Sequence, residues 1–130
     1  MLENAREKAK DIKNVTFILM DAESIGFSDH SFDYVVTTFV LCTISDPVKA
    51  LTEMRRFLKP SGEMIALEHM RSRNPIIARF EKLIDPILFF LFGDHTTRHT
   101  VRNIEEAGFI FKEAKKLFFK DIFWEIGAKP

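Results

Sequence analysis

Apolar residues along the chain follow two alternating rhythms. Leu2, Ala5, Ala9 and Ile12 recur at three- and four-residue steps with charges between them, so residues 2–12 read as an amphipathic helix ending near Lys13-Asn14. Residues 15–20 are almost continuously apolar, the pattern of a strand covered on both faces, and stop at Asp21. Gly26, Ser28, Asp29 and Ser31 mark a loop, after which FDYVVTTF at 32–39 predicts a second buried strand with a polar end at Thr37-Thr38. Asp46-Pro47 is a helix start, because the carboxylate accepts orphan backbone N–H groups and proline's fixed φ suits the first turn. Val48, Leu51, Met54 and Leu58 then form one apolar face, Lys59-Pro60-Ser61-Gly62 stops the helix, and residues 63–68 return as a third strand ending in Glu68-His69.

Further along, Ile76, Phe80, Leu83, Ile84, Ile87, Leu88 and Leu91 define a wide helical apolar face with a kink at Pro86. Thr100 is placed to cap a short helix that Gly108 ends by taking a left-handed conformation, and strands over 109–119 and 122–128 close the chain like a hairpin. Strands alternating with helices, then a terminal strand pair, predict an α/β layered fold with a mostly parallel sheet. A length of 130 residues, 46% of them hydrophobic, suits a single domain over 1–130.

Composition changes this picture mainly by exclusion. Nineteen basic residues balance nineteen acidic ones, so no overall field draws the chain to nucleic acid or an anionic bilayer. The lone cysteine, Cys42, offers neither an internal disulfide nor a metal cluster; it reads as a small core residue and suits a reducing compartment such as the cytoplasm. The N-terminal residues carry mixed charge and resemble no signal peptide. The apolar stretch at 84–92 falls well short of the ~20 residues of a membrane span. Seven of the fourteen phenylalanines lie between Phe80 and Phe118, a region expected to face either core or a greasy substrate, which keeps peripheral membrane contact open.

In open parallel sheets, ligands bind beyond the carboxyl ends of the strands. Asp21, Thr37-Thr38 and Glu68-His69 end three successive predicted strands and are expected to converge on one crevice. Read alone, Asp21 is either a ligand contact or an acid that caps the following turn, and Thr38 either a small polar lining residue or a threonine packed by its methyl. His69 is a candidate general base and Glu68 an electrostatic partner for a cationic group, although a strand-end histidine is commonly structural. His95 and His99 lie four apart without a third ligand, so they read as surface or lid residues and no metal is expected.

These residues also carry a resemblance. DAESIGFSDHSFDYVV at 21–36, followed by TTFVLCTISDPVKALTEMRRFLKPSGEMIALEH at 37–69, resembles the second half of class I S-adenosylmethionine-dependent methyltransferases, in the group that includes the ubiquinone/menaquinone C-methyltransferases. The likeness runs from Met1 to about Gly108, and VLC at 40–42 with LEH at 67–69 is similar to phospholipid N-methyltransferases and membrane-associated thiol methyltransferases. It implies a Rossmann-like sheet, mostly parallel with a terminal antiparallel strand. Of the full strand order 3-2-1-4-5-7-6 this chain is expected to lack the first two strands. Residues 15–20 and 32–38 would then present two unpaired edges, open to a second copy or a complementing chain.

The resemblance further implies S-adenosyl-L-methionine as cofactor, its adenine held by the Asp21 carboxylate and the Ala22 N–H, with Thr38 beside the methionine part. Glu68 and His69 would face a small, hydrophobic or lipid-like acceptor methylated at nitrogen, sulfur or carbon. In-line methyl displacement depends mostly on alignment, so the lack of an obvious triad is no obstacle. The family's glycine-rich turn is missing, since no G-x-G occurs in the sequence. The alternative is a non-catalytic half-domain acting as a binding or assembly module. A nicotinamide-dependent dehydrogenase shares the α/β pattern but finds no supporting motif.

Overall fold

A computed structural model describes residues 2–69, 76, 79, 83, 100–118 and 123–130. Helix α1 (Leu2–Lys8) leads through an irregular segment to strand β1 (Phe32–Thr38), helix α2 (Pro47–Phe57) and strand β2 (Leu58–His69). Helix α3 (Thr100–Glu106) precedes strands β3 (Ile110–Phe118) and β4 (Phe123–Lys129). The sheet order is β1-β2-β4-β3. β1 runs parallel to β2, and β4 lies antiparallel to both β2 and β3, so three strands share one direction and the last opposes them. This is the 4-5-7-6 part of the expected order.

Three element boundaries have a clear local cause. Asp46 caps α2, its Oδ1 accepting from Lys49 N at 3.0 Å, and Pro47 follows directly. α3 ends as Gly108 takes φ +85°, with Gly108 N donating to Glu105 O and Phe109 N to Ile104 O, the paired bonds of a Schellman cap. At the start of β2, a Cβ on Gly62 would meet Asp33 O, Leu58 Cδ2 and Lys59 O, all at 2.9 Å. Glycine lets the backbones approach there, and Lys59-Pro60-Ser61-Gly62 joins the strand through an irregular register instead of forming a separate turn.

Ala50, Leu51, Met54 and Phe57 of α2 pack with Ile104 of α3 against Met64 and Ala66 of β2 and Trp124, Ile126 and Ala128 of β4. Full burial of each large apolar side chain contributes about 1.5–3 kcal/mol. Among the described residues, this packing covers one sheet face. On β1, Thr37 is buried and Val35 half-buried, while Tyr34 and Val36, pointing the other way, are exposed. The apolar run at 32–39 suggested burial on both faces; continuity of hydrophobicity does not say what covers it.

Residues 15–20 differ more sharply from expectation. They form no strand, and Val15, Ile18, Leu19 and Met20 are exposed, Leu19 by 85%. A strand is defined by its partner, and this segment has no described sheet edge beside it. One expected edge, β1, therefore exists, and the other does not. α1 likewise stops at Lys8 instead of 12, because the stripe meant to continue it finds no core and Ile12 is 52% exposed. Of the predicted helix beyond residue 76, Ile76, Arg79 and Leu83 are helical, with Ile76 and Leu83 exposed; its kink at Pro86, like His95 and His99, lies outside the described residues.

Candidate functional site

The loop from β1 to α2 crosses the carboxyl end of the parallel strand pair. Phe39, the first residue past β1, adopts φ +52°, the left-handed region that a bulky side chain rarely enters. Phe39 N still donates to Leu67 O at 2.9 Å, extending the β1–β2 ladder one step beyond the strand. The chain then turns back on itself: Val40 N donates to Glu68 Oε1 at 3.2 Å and Leu41 N to the same oxygen at 3.3 Å. Thr37 Oγ1 adds a third bond at 3.3 Å. Leu41 and Cys42 are buried beneath this turn, as expected for Cys42.

Glu68 is 0% exposed. The orientation expected for it, toward a substrate, is not the one observed; alternation along β2 puts it on the same face as Met64 and Ala66, and its carboxylate is drawn to the amides of the loop. His69 ends β2 with its Cα opposite Phe123, and the placement of its imidazole lies outside what is described. Thr38, the last residue of β1, pairs with Leu67 and is exposed.

Asp21 and Ala22 lie in a tight turn. Ser24 N donates to Asp21 O at 3.1 Å, and Glu23 N donates to Asp21 Oδ1 at 2.9 Å. The Asp21 side chain therefore caps its own turn, yet it is exposed, and one N–H occupies only part of the acceptor capacity of an ionised carboxylate. Ala22, half-buried, lines an open, mostly apolar groove of about 340 Å³ with Thr16, Ile18, Met20, Ile25 and Phe27. Glu23 links this turn to the loop after β1, since its Oε1 accepts from Asp46 N at 2.9 Å and its Oε2 lies 3.8 Å from Lys49 Nζ. The turn holding Asp21 is in this way tied to the residues that follow Thr38 and precede α2.

Sequence reasoning missed Glu23, and it missed a second clamp. Arg56 on α2 donates to Ile25 O, Phe27 O and Asp29 Oδ1 at 2.6–2.8 Å and to both oxygens of Glu53 at 3.0–3.1 Å. Glu53 Oε2 also accepts from Ile25 N at 3.1 Å. The Arg56 hydrogen bonds hold the Glu53 carboxyl below its ordinary value, and Glu53 with Asp29 raises the guanidinium in turn. Only the i, i+3 spacing of Glu53 and Arg56 was visible beforehand. Phe27, Phe32 and Phe57 stack edge to face beside this clamp, with centroids 4.9–5.9 Å apart.

A second groove, about 250 Å³ and lined by His30, Arg55 and Pro60 among others, lies by the amino end of β2. That is the end away from the expected crevice. Among the described residues, no group of three or more His, Cys, Asp or Glu is placed to hold a metal ion, and no helix is long and apolar enough to cross a membrane.

Comparison with known proteins gives a consistent pattern. The family described as methyltransferase domain matches residues 1–66. The demethylmenaquinone methyltransferase of Staphylococcus haemolyticus is 33% identical over 129 residues, covering 98% of this chain and 53% of that protein. Its counterpart from Staphylococcus aureus strain JH9 is 34% identical over 125 residues, with coverages of 93% and 52%. The chain thus spans about half the length of the curated relatives it matches. Among solved structures, a Thermotoga maritima S-adenosylmethionine-dependent methyltransferase, named as a possible histamine N-methyltransferase, superposes with a TM-score of 0.71 at 22% identity over 98% of this chain and 69% of its own. The [4+2]-cyclase SpnF superposes with a TM-score of 0.75 at 15% identity, covering 98% and 62%. At these identities the likeness is one of fold.

Proposed function

Since the chain belongs to the methyltransferase domain family and carries its Rossmann-like fold, we propose that it serves methyl transfer from S-adenosyl-L-methionine to a small, apolar, quinone-like acceptor. The acceptor class follows the name of the Staphylococcus relatives. The observation that carries the reading is the turn at 21–24: an exposed carboxylate on Asp21, next to the half-buried Ala22 in an apolar groove, tied through Glu23 to the segment after Thr38.

This donor set fits one end of the cofactor. Adenine is flat and apolar on its faces, with an amine donor and ring-nitrogen acceptors on its edge; the groove supplies apolar contact, Asp21 the acceptor and the Ala22 N–H the donor. When bound, S-adenosylmethionine supplies an electrophilic methyl group on a sulfonium. Thr38, small and exposed at the end of β1, borders the methionine part, and His69 at the end of β2 takes a proton from the acceptor where the acceptor atom carries one. The glycine-rich turn that grips such cofactors elsewhere has no counterpart among these residues, so complementation by a further segment or a second chain belongs to the same proposal. Contact with a membrane carrying the acceptor would be peripheral.

Calorimetric titration of S-adenosylmethionine into the 130-residue chain, with Asp21→Ala alongside, tests the reading. Binding is expected to weaken roughly tenfold or more in Asp21→Ala, the effect of losing a hydrogen bond to a charged group. A folded chain that binds no cofactor assigns catalysis to a longer protein or a partnered assembly, and leaves this chain by itself as a binding or assembly module.

A further inference from the structure

Among the described residues, Glu68 is the only acidic or basic side chain within the buried set, and burying such a group is unfavourable unless it is well bonded. Its Oε1 accepts from the amides of Val40 and Leu41, the two residues that follow the left-handed Phe39, and from the hydroxyl of Thr37, two residues before it. The ladder bond from Phe39 N to Leu67 O holds the same turn from its other side. A bulky residue persists with positive φ only where its surroundings over-determine it, and such residues gather at functional sites. The ring presented by this turn is 43% exposed at the carboxyl end of the sheet, where the loop leaves β1 directly after Thr38.

From this geometry we infer that Phe39 is an aromatic contact for a flat, apolar acceptor and that Glu68 is the positioning residue that holds it there. Glu68 acts through the backbone: its carboxylate fixes the 40–41 amides, the amides fix the left-handed turn, and the turn sets both the Phe39 ring and the approach to Thr38. The inference rests on the methyl-transfer reading for the identity of the acceptor, but not for the clamp itself.

The experiment uses the 130-residue chain and its Glu68→Gln, Glu68→Ala and Phe39→Ala variants. Amide exchange at Val40 and Leu41 is followed by NMR, 1-naphthol is titrated as a flat apolar probe, and S-adenosylhomocysteine is titrated separately. Glu68→Gln keeps an oxygen acceptor and is expected to preserve both amide protection and probe binding. Glu68→Ala is expected to speed exchange at both amides by about tenfold or more and to weaken 1-naphthol by a similar factor. Phe39→Ala is expected to weaken 1-naphthol as much, without altering S-adenosylhomocysteine binding.

Unchanged exchange at Val40 and Leu41 in Glu68→Ala overturns the clamp. Failure of the parent chain to bind 1-naphthol, or binding that ignores Phe39→Ala, overturns the acceptor contact. Should Glu68→Ala not fold, Glu68→Gln decides, because loss of probe binding there despite an intact acceptor contradicts positioning through hydrogen bonds. Absence of S-adenosylhomocysteine binding, with the other results as expected, counts against the methyl-transfer reading alone.

Discussion

Glu53 and Arg56 show how much one pair of side chains organises beyond their own helix. Their bidentate contact also gathers Ile25 N and the carbonyls of Ile25 and Phe27, so a surface ion pair becomes the fastening of the 25–29 loop onto α2. Isolated surface pairs add little, and the backbone bonds are what distinguish this one. Because Arg56 depresses the carboxyl of Glu53 in the folded state, the associated stability is present above the unfolded-state value and is lost as pH falls through the lower folded value. Melting temperatures followed from about neutral to about pH 3 should show the parent chain above Glu53→Gln at the upper end, with the gap closing in the acid range. A gap that persists at the lowest pH would contradict the assignment.

At the scale of elements, most boundaries trace to one or two residues with a physical reason, and the caps are the clearest. Gly108 ends α3 with φ +85° and both bonds of its cap in place, whereas a Cβ added at Gly26 would meet nothing within 4 Å, and Gly26 has no positive φ. Gly108→Ala should therefore lose about 1–2 kcal/mol, the cost of a left-handed conformation for an L-residue. Gly26→Ala should be neutral or gain up to about 1 kcal/mol by restricting the unfolded chain. Urea denaturation of the two variants beside the parent chain separates these outcomes, and equal losses would refute the argument.

At the scale of the whole molecule, the dominant feature among the described residues is a group of exposed apolar side chains. Tyr34 and Val36 on β1, with Ile18, Leu19 and Met20 before it, leave apolar surface beside a sheet edge that, among the described strands, pairs only with β2. Exposed edges of this kind recruit other strands, and apolar patches beside them reinforce the contact. The purified chain should show a mass by light scattering that rises with concentration. Val36→Lys, at a side chain already 67% exposed, should return the mass toward that of one chain without lowering the melting temperature. A mass independent of both concentration and substitution would show that the edge is not used for self-association.

What local chemistry specifies was legible beforehand: the Asp46-Pro47 start of α2, the Gly108 stop, the terminal strand pair and the separation of charged from apolar helix faces all follow from residue type and period. The family, too, was readable from the residues at 21–69, and the match over 1–66 agrees with it. Tertiary structure alone decided the rest. Hydrophobic runs at 15–20 and 32–39 look alike in the sequence, yet among the described residues only the second has a neighbouring strand to bond with, and it buries one face while Tyr34 and Val36 on the other stay exposed. Asp21 and Glu68 both sit near expected strand ends, but one carboxylate is exposed on a turn and the other enclosed under a loop, because direction depends on the register of pairing and on which amides lie within reach.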